Sequence, residues 1–448
     1  MQHPRFERET ADDCLACHAG DVNRPAEKST GYGSPAFSEM SIGCERCHGP
    51  GGAHVTWHES RSRDKPDETS APVPDPIVNP AKLEAARRED VCNQCHLHGK
   101  SRQLRFGRTT FDFRPGMKLD DVWLIFVNGD RVPSDDRERE VSHSEQMRHS
   151  ACFRQSDGRF GCVSCHAPHS VPPLTERTKF YQERCLKCHT DAGCTVPEVE
   201  RNTSPSHGSC LACHMPRRDA HDSPHTPRTD HRILRRPDQP TPDQPRNIPV
   251  VEDSLLLWNV SDNAEPRVPD WEIRRARGLM LAGLAEKIGP SPFAAKGLLL
   301  LEPIEEALPD DLEIQEWLGI CESLTGREAL AKARWTRAST KALHRESILK
   351  RLAFLAHGRQ DWKAAAEYFD RLVEINPWRS DFHSRNAQVR EALGDSDRAA
   401  ESARRAIELN PTLSQAHELL ARTYQLKGQL ELSGKHRERA ETLRKAGF

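Results

Sequence analysis

At 448 residues the chain is long enough for two or three domains, and its formal charge of -2 gives no basis for nucleic acid or an anionic membrane surface as a partner. Hydrophobic residues make up 36% and aromatic residues 6%, low for this length unless cofactor rings supply part of a core. No stretch approaches the ~18 apolar residues of a membrane-spanning helix, and the amino terminus, MQHPRFERETADDCLACH, lacks an apolar signal core.

Between Cys14 and His214 the pattern Cys-x-x-Cys-His occurs six times. The copies are Cys14, Cys17 and His18; Cys44, Cys47 and His48; Cys92, Cys95 and His96; Cys162, Cys165 and His166; Cys185, Cys188 and His189; and Cys210, Cys213 and His214. This pattern predicts six c-type haems: the two thiols close thioether bonds to the haem vinyls, and the adjacent His is an axial iron ligand. Zinc half-sites share Cys-x-x-Cys but do not require a His next to every second Cys. Thioredoxin-like motifs need a βαβ context, and a disulfide framework leaves the six histidines unexplained. The motifs use twelve of fifteen cysteines, leaving Cys152, Cys194 and Cys321. Cys152 and Cys194 could pair if the fold brings them together. Covalent haem attachment takes place outside the cytoplasm, so the expected location is periplasmic or otherwise extracytoplasmic, and the missing export signal suggests a truncated chain.

In chain order, residues 1 to 60 carry two motifs, and after the second the turn Gly49-Pro50-Gly51-Gly52 leads to His54, with His58 one helical turn later. Residues 61 to 76 read as a charged surface linker. Asn79-Pro80 predicts an N-cap opening a helix through AKLEAARREDV into the third motif. The run Val122 to Val127 followed by Asn128-Gly129 predicts a short hairpin, and SHSEQMRHSACF places His143 and His149 on a helix. His221, His225 and His231 lie in a Pro- and Arg-containing tail, and PDQPTPDQPRNIP from Pro237 is an extended linker. The expected domains are 1–236 for the haem sites, 237–268 for the linker and 269–448 for a repeat domain.

That last domain has a 34-residue period. Pro309, Leu343, Pro377 and Pro411 are equally spaced, as are Ala331, Ala365, Ala399 and Ser433, and Gly326, Gln360, Gly394 and Gly428. This resembles the tetratricopeptide repeat and predicts four repeats, 312–345, 346–379, 380–413 and 414–447, after a degenerate helical pair from about residue 270. Each repeat is two antiparallel helices that bury their apolar stripes by stacking on neighbours. Cys321 falls on a repeat helix as a small apolar residue.

Eleven non-motif histidines, His3, His54, His58, His98, His143, His149, His169, His207, His221, His225 and His231, are available as sixth iron ligands. His169 is three residues past His166 and reaches at most about 10 Å along the chain, so it should bind a neighbouring iron. The same logic favours His54 as a cross-ligand. Met215 adjoins His214 and cannot reach the opposite haem face. All-imidazole ligation should give lower potentials than Met/His ligation.

The segments ADDCLACHAG, IGCERCHGPGGAHV, VCNQCHLHG, HSEQM, GCVSCHAPHS, CLACHMPR and TDHRI resemble multihaem c-type cytochromes fused to tetratricopeptide repeats, with a haem part similar to the cytochrome c-552/c-554 group. The resemblance implies a mainly α protein: a loop-rich multihaem cytochrome c domain with little regular structure, then a helical solenoid. It also implies His54, His143, His169, His225 and His231 as distal ligands. Such proteins usually carry an export signal and a further amino-terminal haem motif, so one iron here is expected to be a candidate for five-coordination. The function expected is electron transfer between redox partner proteins, with a protein or peptide docked on the repeats. The alternative is an oxidoreductase acting on a small nitrogen or sulfur compound at one open haem. Against it, the chain has no Cys-x-x-Cys-Lys motif, and Tyr32 and Tyr181 are the only tyrosines of the haem half. A third reading makes the repeats the main function, with the haems as sensor or anchor.

Overall fold

The computed structural model describes residues 10, 12–24, 31–63, 74–128, 142–189, 194–203, 208–218, 228–234, 255–258 and 268–447. The chain forms two compact units, one of residues 16–20 and 41–269, the other of residues 1–15, 21–40 and 270–448. Most regular structure is helical; strands are short. No helix among the described residues is long and apolar enough to cross a membrane.

In the first unit, short helices are set among irregular segments, because thiol and imidazole positions, not an apolar stripe, dominate its sequence. The motifs sit on or at the ends of helices Asp12–His18, Glu45–His48, Ala85–His96, Cys162–Cys165, Arg177–Leu186 and Cys210–His214. The expected helix after Asn79 is broken in two. Asn79 does cap, its side chain accepting from Ala81 N at 3.0 Å, but over the single 3-10 turn Pro80–Lys82. Leu83 is extended, and the helix begins again at Ala85.

The strand expected near Val122 is present as Trp123–Asn128, and the hairpin expected across Asn128-Gly129 runs into residues outside those described. The strand pairs antiparallel with upstream Ser101–Leu104 and with Leu255–Leu257, a segment that composition reads as linker. The pairing buries Leu97, Phe113, Leu119, Val122, Trp123, Ile125 and Trp258 together. Burial of this apolar set supplies the local driving force that a polar turn dipeptide cannot. Gly99, at φ +62°, is needed here, since a Cβ would collide with the Phe126 carbonyl that accepts the Lys100 N–H.

In the second unit the helices pair as Asp270–Ile288 with Pro292–Ala307, Leu312–Leu324 with Glu328–Lys341, Glu346–Gly358 with Trp362–Ile375, Ser380–Ala392 with Ser396–Leu409, and Ser414–Leu426 with Leu430–Lys445. These stacked pairs are of tetratricopeptide-repeat type. The periodic small residues Ala331, Ala365, Ala399 and Ser433 are all buried, as are Trp335 and Phe369 four residues after the first two. Gly326, Gly394 and Gly428 each end a first helix at φ +71° to +80°, and Gln360 takes the same left-handed conformation at φ +58°. Gly319 leaves room for the Trp335 indole, whose Nε1 donates to Glu316 O at 3.1 Å; a Cβ there would strike the ring.

Cys321 is fully buried in the first repeat core. Burial, then the charge of Glu322, pushes its thiol from 9.0 up to about 12. Between those values the unfolded chain loses the proton and the folded chain keeps it, so stability falls as pH rises through that window, by about 1.4 kcal/mol per pH unit. Iodoacetamide at about pH 8.5 should leave Cys321 unmodified in the folded protein and alkylate it in urea, as read by mass spectrometry. Alkylation without denaturant would show that the repeat core opens.

Candidate haem-binding site

The helix Ala85–His96 is the hub of the motif-bearing unit. Its buried residues are Glu89, Asp90, Val91, Asn93 and Gln94, four of them polar, and burial of such groups requires partners. For Glu89 and Gln94 the partners come from other motifs. Gln94 Nε2 donates to Arg46 O at 2.9 Å within the second motif, and Gln94 O lies 4.0 Å from Cys17 Sγ of the first. Cys95 Sγ is 3.9 Å from Ala16 O, which also accepts from the Arg46 guanidinium. Glu89 Oε2 accepts from Cys162 N at 3.0 Å, at the head of the fourth motif, and a Cβ on Gly161 would collide with that carboxylate. Asp90 Oδ2 accepts from Leu119 N at 3.0 Å; burial raises the Asp90 carboxyl above its ordinary range.

Thiols of different motifs meet. Cys92 and Cys162 share a hydrogen bond, as do Cys17 and Cys95, and Cys185 and Cys210. The bond from Cys185 holds the Cys210 thiol down at about 6, while the matching donation raises Cys185. Cys152 and Cys194 stand as free thiols, and the electrostatic neighbours of Cys152 include Cys188 and Cys165. Motifs one to three thus converge on the hub helix, the fourth joins it through Glu89, and the helices of the fifth and sixth pack on one another.

Among the described residues, three motif histidines lie near non-motif histidines with nearly parallel rings. His48 and His169 have centroids 5.9 Å apart and planes 10° apart. His96 and His143 are at 6.2 Å and 22°, and His166 and His231 at 6.4 Å and 20°. Two imidazoles bound through nitrogen to opposite faces of one metal ion, at about 2.0 Å each, hold their centroids roughly 6 Å apart. The centroid spacing at three motifs therefore matches that of two imidazoles on one haem iron. His143 and His231 also stack on each other at 4.2 Å, which places the third and fourth motifs side by side. Burial lowers the pKa of His231, and burial followed by the neighbouring His231 and His96 lowers that of His166, so both rings are neutral near pH 7, the form that binds metal.

The fixed ring nitrogens supply a second fit. His48 Nδ1 donates to Val78 O at 2.8 Å, His214 Nδ1 to Leu234 O at 2.6 Å, and His231 Nδ1 to Thr229 O at 2.7 Å. A His whose Nδ1–H is occupied presents Nε2 to a metal. His231 is also tied to helix His143–His149, its backbone N donating to Gln146 Oε1 at 2.8 Å.

His54 lies on helix Gly52–Arg63, with Nδ1 2.7 Å from Asp75 Oδ1 and its ring against His58. Asp75 falls within the stretch that sequence reads as plain linker, and composition offers no sign of this contact. Burial pushes the Asp75 carboxyl up, but the His54 hydrogen bond and the Ile77 N–H bring it below the ordinary range. His18 ends the first motif helix and His189 follows the Arg177–Leu186 helix. The Tyr181 ring meets His166 edge-on at 6.0 Å. His225, expected as a distal ligand, lies outside the described residues, as do His3, His207 and His221.

Over 229 residues the chain is 23% identical to Multiheme cytochrome MtrA of Shewanella baltica (strain OS185). The amino-terminal half is distantly homologous to a multihaem cytochrome. The match covers 49% of this chain and 57% of the relative, so the chain spans little more than half of that protein's length. No family model matches the chain. Among solved structures, MamA from AMB-1 is 22% identical over 39% of this chain and 92% of its own, with a TM-score of 0.36. MamA from MSR-1 is 21% identical over 40% of this chain and 98% of its own, with a TM-score of 0.35.

Proposed function

We propose that the chain transfers electrons outside the cytoplasm through c-type haems held at its six motifs, and that the repeat helices dock a protein partner. The observation that carries the reading is the set of three imidazole pairs, His48 with His169, His96 with His143 and His166 with His231, each spaced for one iron between two rings. Haem bound at these motifs would supply one-electron redox chemistry without proton transfer. The residues would do the positioning: each motif's thiols would anchor a haem and its His would ligate the iron, with His169, His143 and His231 as second ligands at the second, third and fourth motifs. Closed coordination suits a carrier, because it leaves no position for a substrate. The hub helix keeps neighbouring motifs close, which suits passage from one site to the next. The description of MtrA as a multihaem cytochrome supports the same class. The distal role of His54 is part of this proposal, as is that of His225.

The test is the electron paramagnetic resonance spectrum of the oxidised, haem-loaded protein, normalised to covalent haem per chain. Six haems per chain, all low-spin, are the expected result. A high-spin share near one in six would mean an open iron and turn the reading toward an oxidoreductase, to be tried with nitrite, hydroxylamine and sulfite.

A further inference from the structure

We infer that Asp75 is a positioning residue that lowers the reduction potential of the iron bound by His54, through the hydrogen bond it accepts from the His54 ring; this rests on the haem reading proposed above. The contrast among the ring partners carries it. His48, His214 and His231 each give Nδ1–H to a backbone carbonyl, at 2.8, 2.6 and 2.7 Å. His54 instead gives it to a carboxylate, Asp75 Oδ1, at 2.7 Å. A carboxylate is the stronger acceptor and draws the Nδ1 proton further from the ring. The Nε2 opposite becomes a more basic ligand, which favours ferric over ferrous iron.

Asp75 is itself held in place. Its Oδ1 accepts from Ile77 N at 3.1 Å, and His58 Nε2 lies 3.5 Å from its other oxygen. At the next residue, Val78 N donates to His48 O at 3.0 Å while Val78 O accepts from the His48 ring. Residues 75–78 therefore strap two imidazoles, His48 by a peptide group and His54 by a charge. The haem served by His54 should be the one whose potential this strap depresses.

The experiment is a potentiometric titration of the fully loaded chain, wild type against Asp75→Asn, which keeps the shape and removes the charge. One of the six midpoints should rise by a tenfold change in its one-electron equilibrium, about 59 mV, with every iron remaining low-spin. Unchanged midpoints would overturn the role of Asp75. His54→Ala separates that failure from failure of the ligation itself: a new high-spin signal supports His54 as an iron ligand, and an all-low-spin spectrum overturns it. A third arm adds Co²⁺ to the loaded wild type. One-to-one binding that is lost in both Asp75→Asn and His58→Ala would make His54, His58 and Asp75 a divalent-cation site and overturn the inference.

Discussion

Replacing His169 with Ala is expected to convert one of six low-spin irons to high spin and open it to carbon monoxide, while covalent haem per chain stays unchanged. His169 follows His166 by three residues, and a reach of at most about 10 Å cannot take it around the edge of the macrocycle that His166 serves. The structure sets its ring against His48 instead, at 5.9 Å and 10°. On the proposed reading the substitution removes a ligand from the second motif by changing a residue beside the fourth. Covalent attachment depends on Cys44 and Cys47, which the change leaves alone. A second effect is expected, since His169 staples the His48 site to the Cys162–Cys165 helix: the His48 signal should broaden as that staple is lost. An unchanged spectrum would remove His169 from the ligand set. His143→Ala is the parallel case for His96, and a high-spin signal there would test the second pair independently.

Asp311→Ala should destabilise the repeat unit by up to about 3–5 kcal/mol, the range for breaking a buried ion pair, with the Glu313 partner that Arg275 keeps setting how far below that ceiling the loss falls. Arg275 is 2% exposed and Asp311 5%. The Arg275 Nε meets Asp311 Oδ2 at 2.7 Å, and its Nη2 meets Glu313 Oε2 at 2.6 Å. Burial alone would lower the Arg275 pKa, but the bonds to Asp311 and Glu313 raise it above its ordinary value. The guanidinium therefore stays charged and needs its partners. Asp311 also caps helix Leu312–Leu324, accepting from Glu313 N at 3.0 Å and Ile314 N at 3.2 Å. Losing the cap adds about 1 kcal/mol. Urea unfolding followed by far-ultraviolet circular dichroism reads the helix signal of the full chain. Arg275→Met combined with Asp311→Ala should cost less than the sum of the two single changes, because the stranded charge is gone. A loss near 1 kcal/mol for Asp311→Ala alone would mean that only the cap matters.

These residues differ in how far local pattern reveals them. The 34-residue period is visible because each repeat must bury the same small and aromatic positions against its neighbours, so Ala331, Ala365 and Ala399 recur in register with the helices. That His169 should serve a neighbouring motif is readable because chain reach is a local constraint. Its partner His48, 121 positions away, is not. The contact of Asp75, inside the stretch read as linker, and the break in the helix expected after Asn79 are both absent from the composition. Composition reports average solvation, while Asp75 takes its role from His54, 21 positions away. The strand Trp123–Asn128 is visible in its β-branched and aromatic run, but its partners Ser101–Leu104 and Leu255–Leu257 are chosen by burial of Phe113, Trp123 and Trp258, which no turn dipeptide encodes.

By itself the sequence determined the six Cys-x-x-Cys-His motifs and the helical repeats, because motif spacing and stacking period act over a few residues or at a constant interval. Tertiary structure alone decided which histidine faces which motif, which thiols adjoin, and that Asp75 holds His54. Those are matters of distance between segments far apart along the chain, and a local pattern carries no record of distance in space.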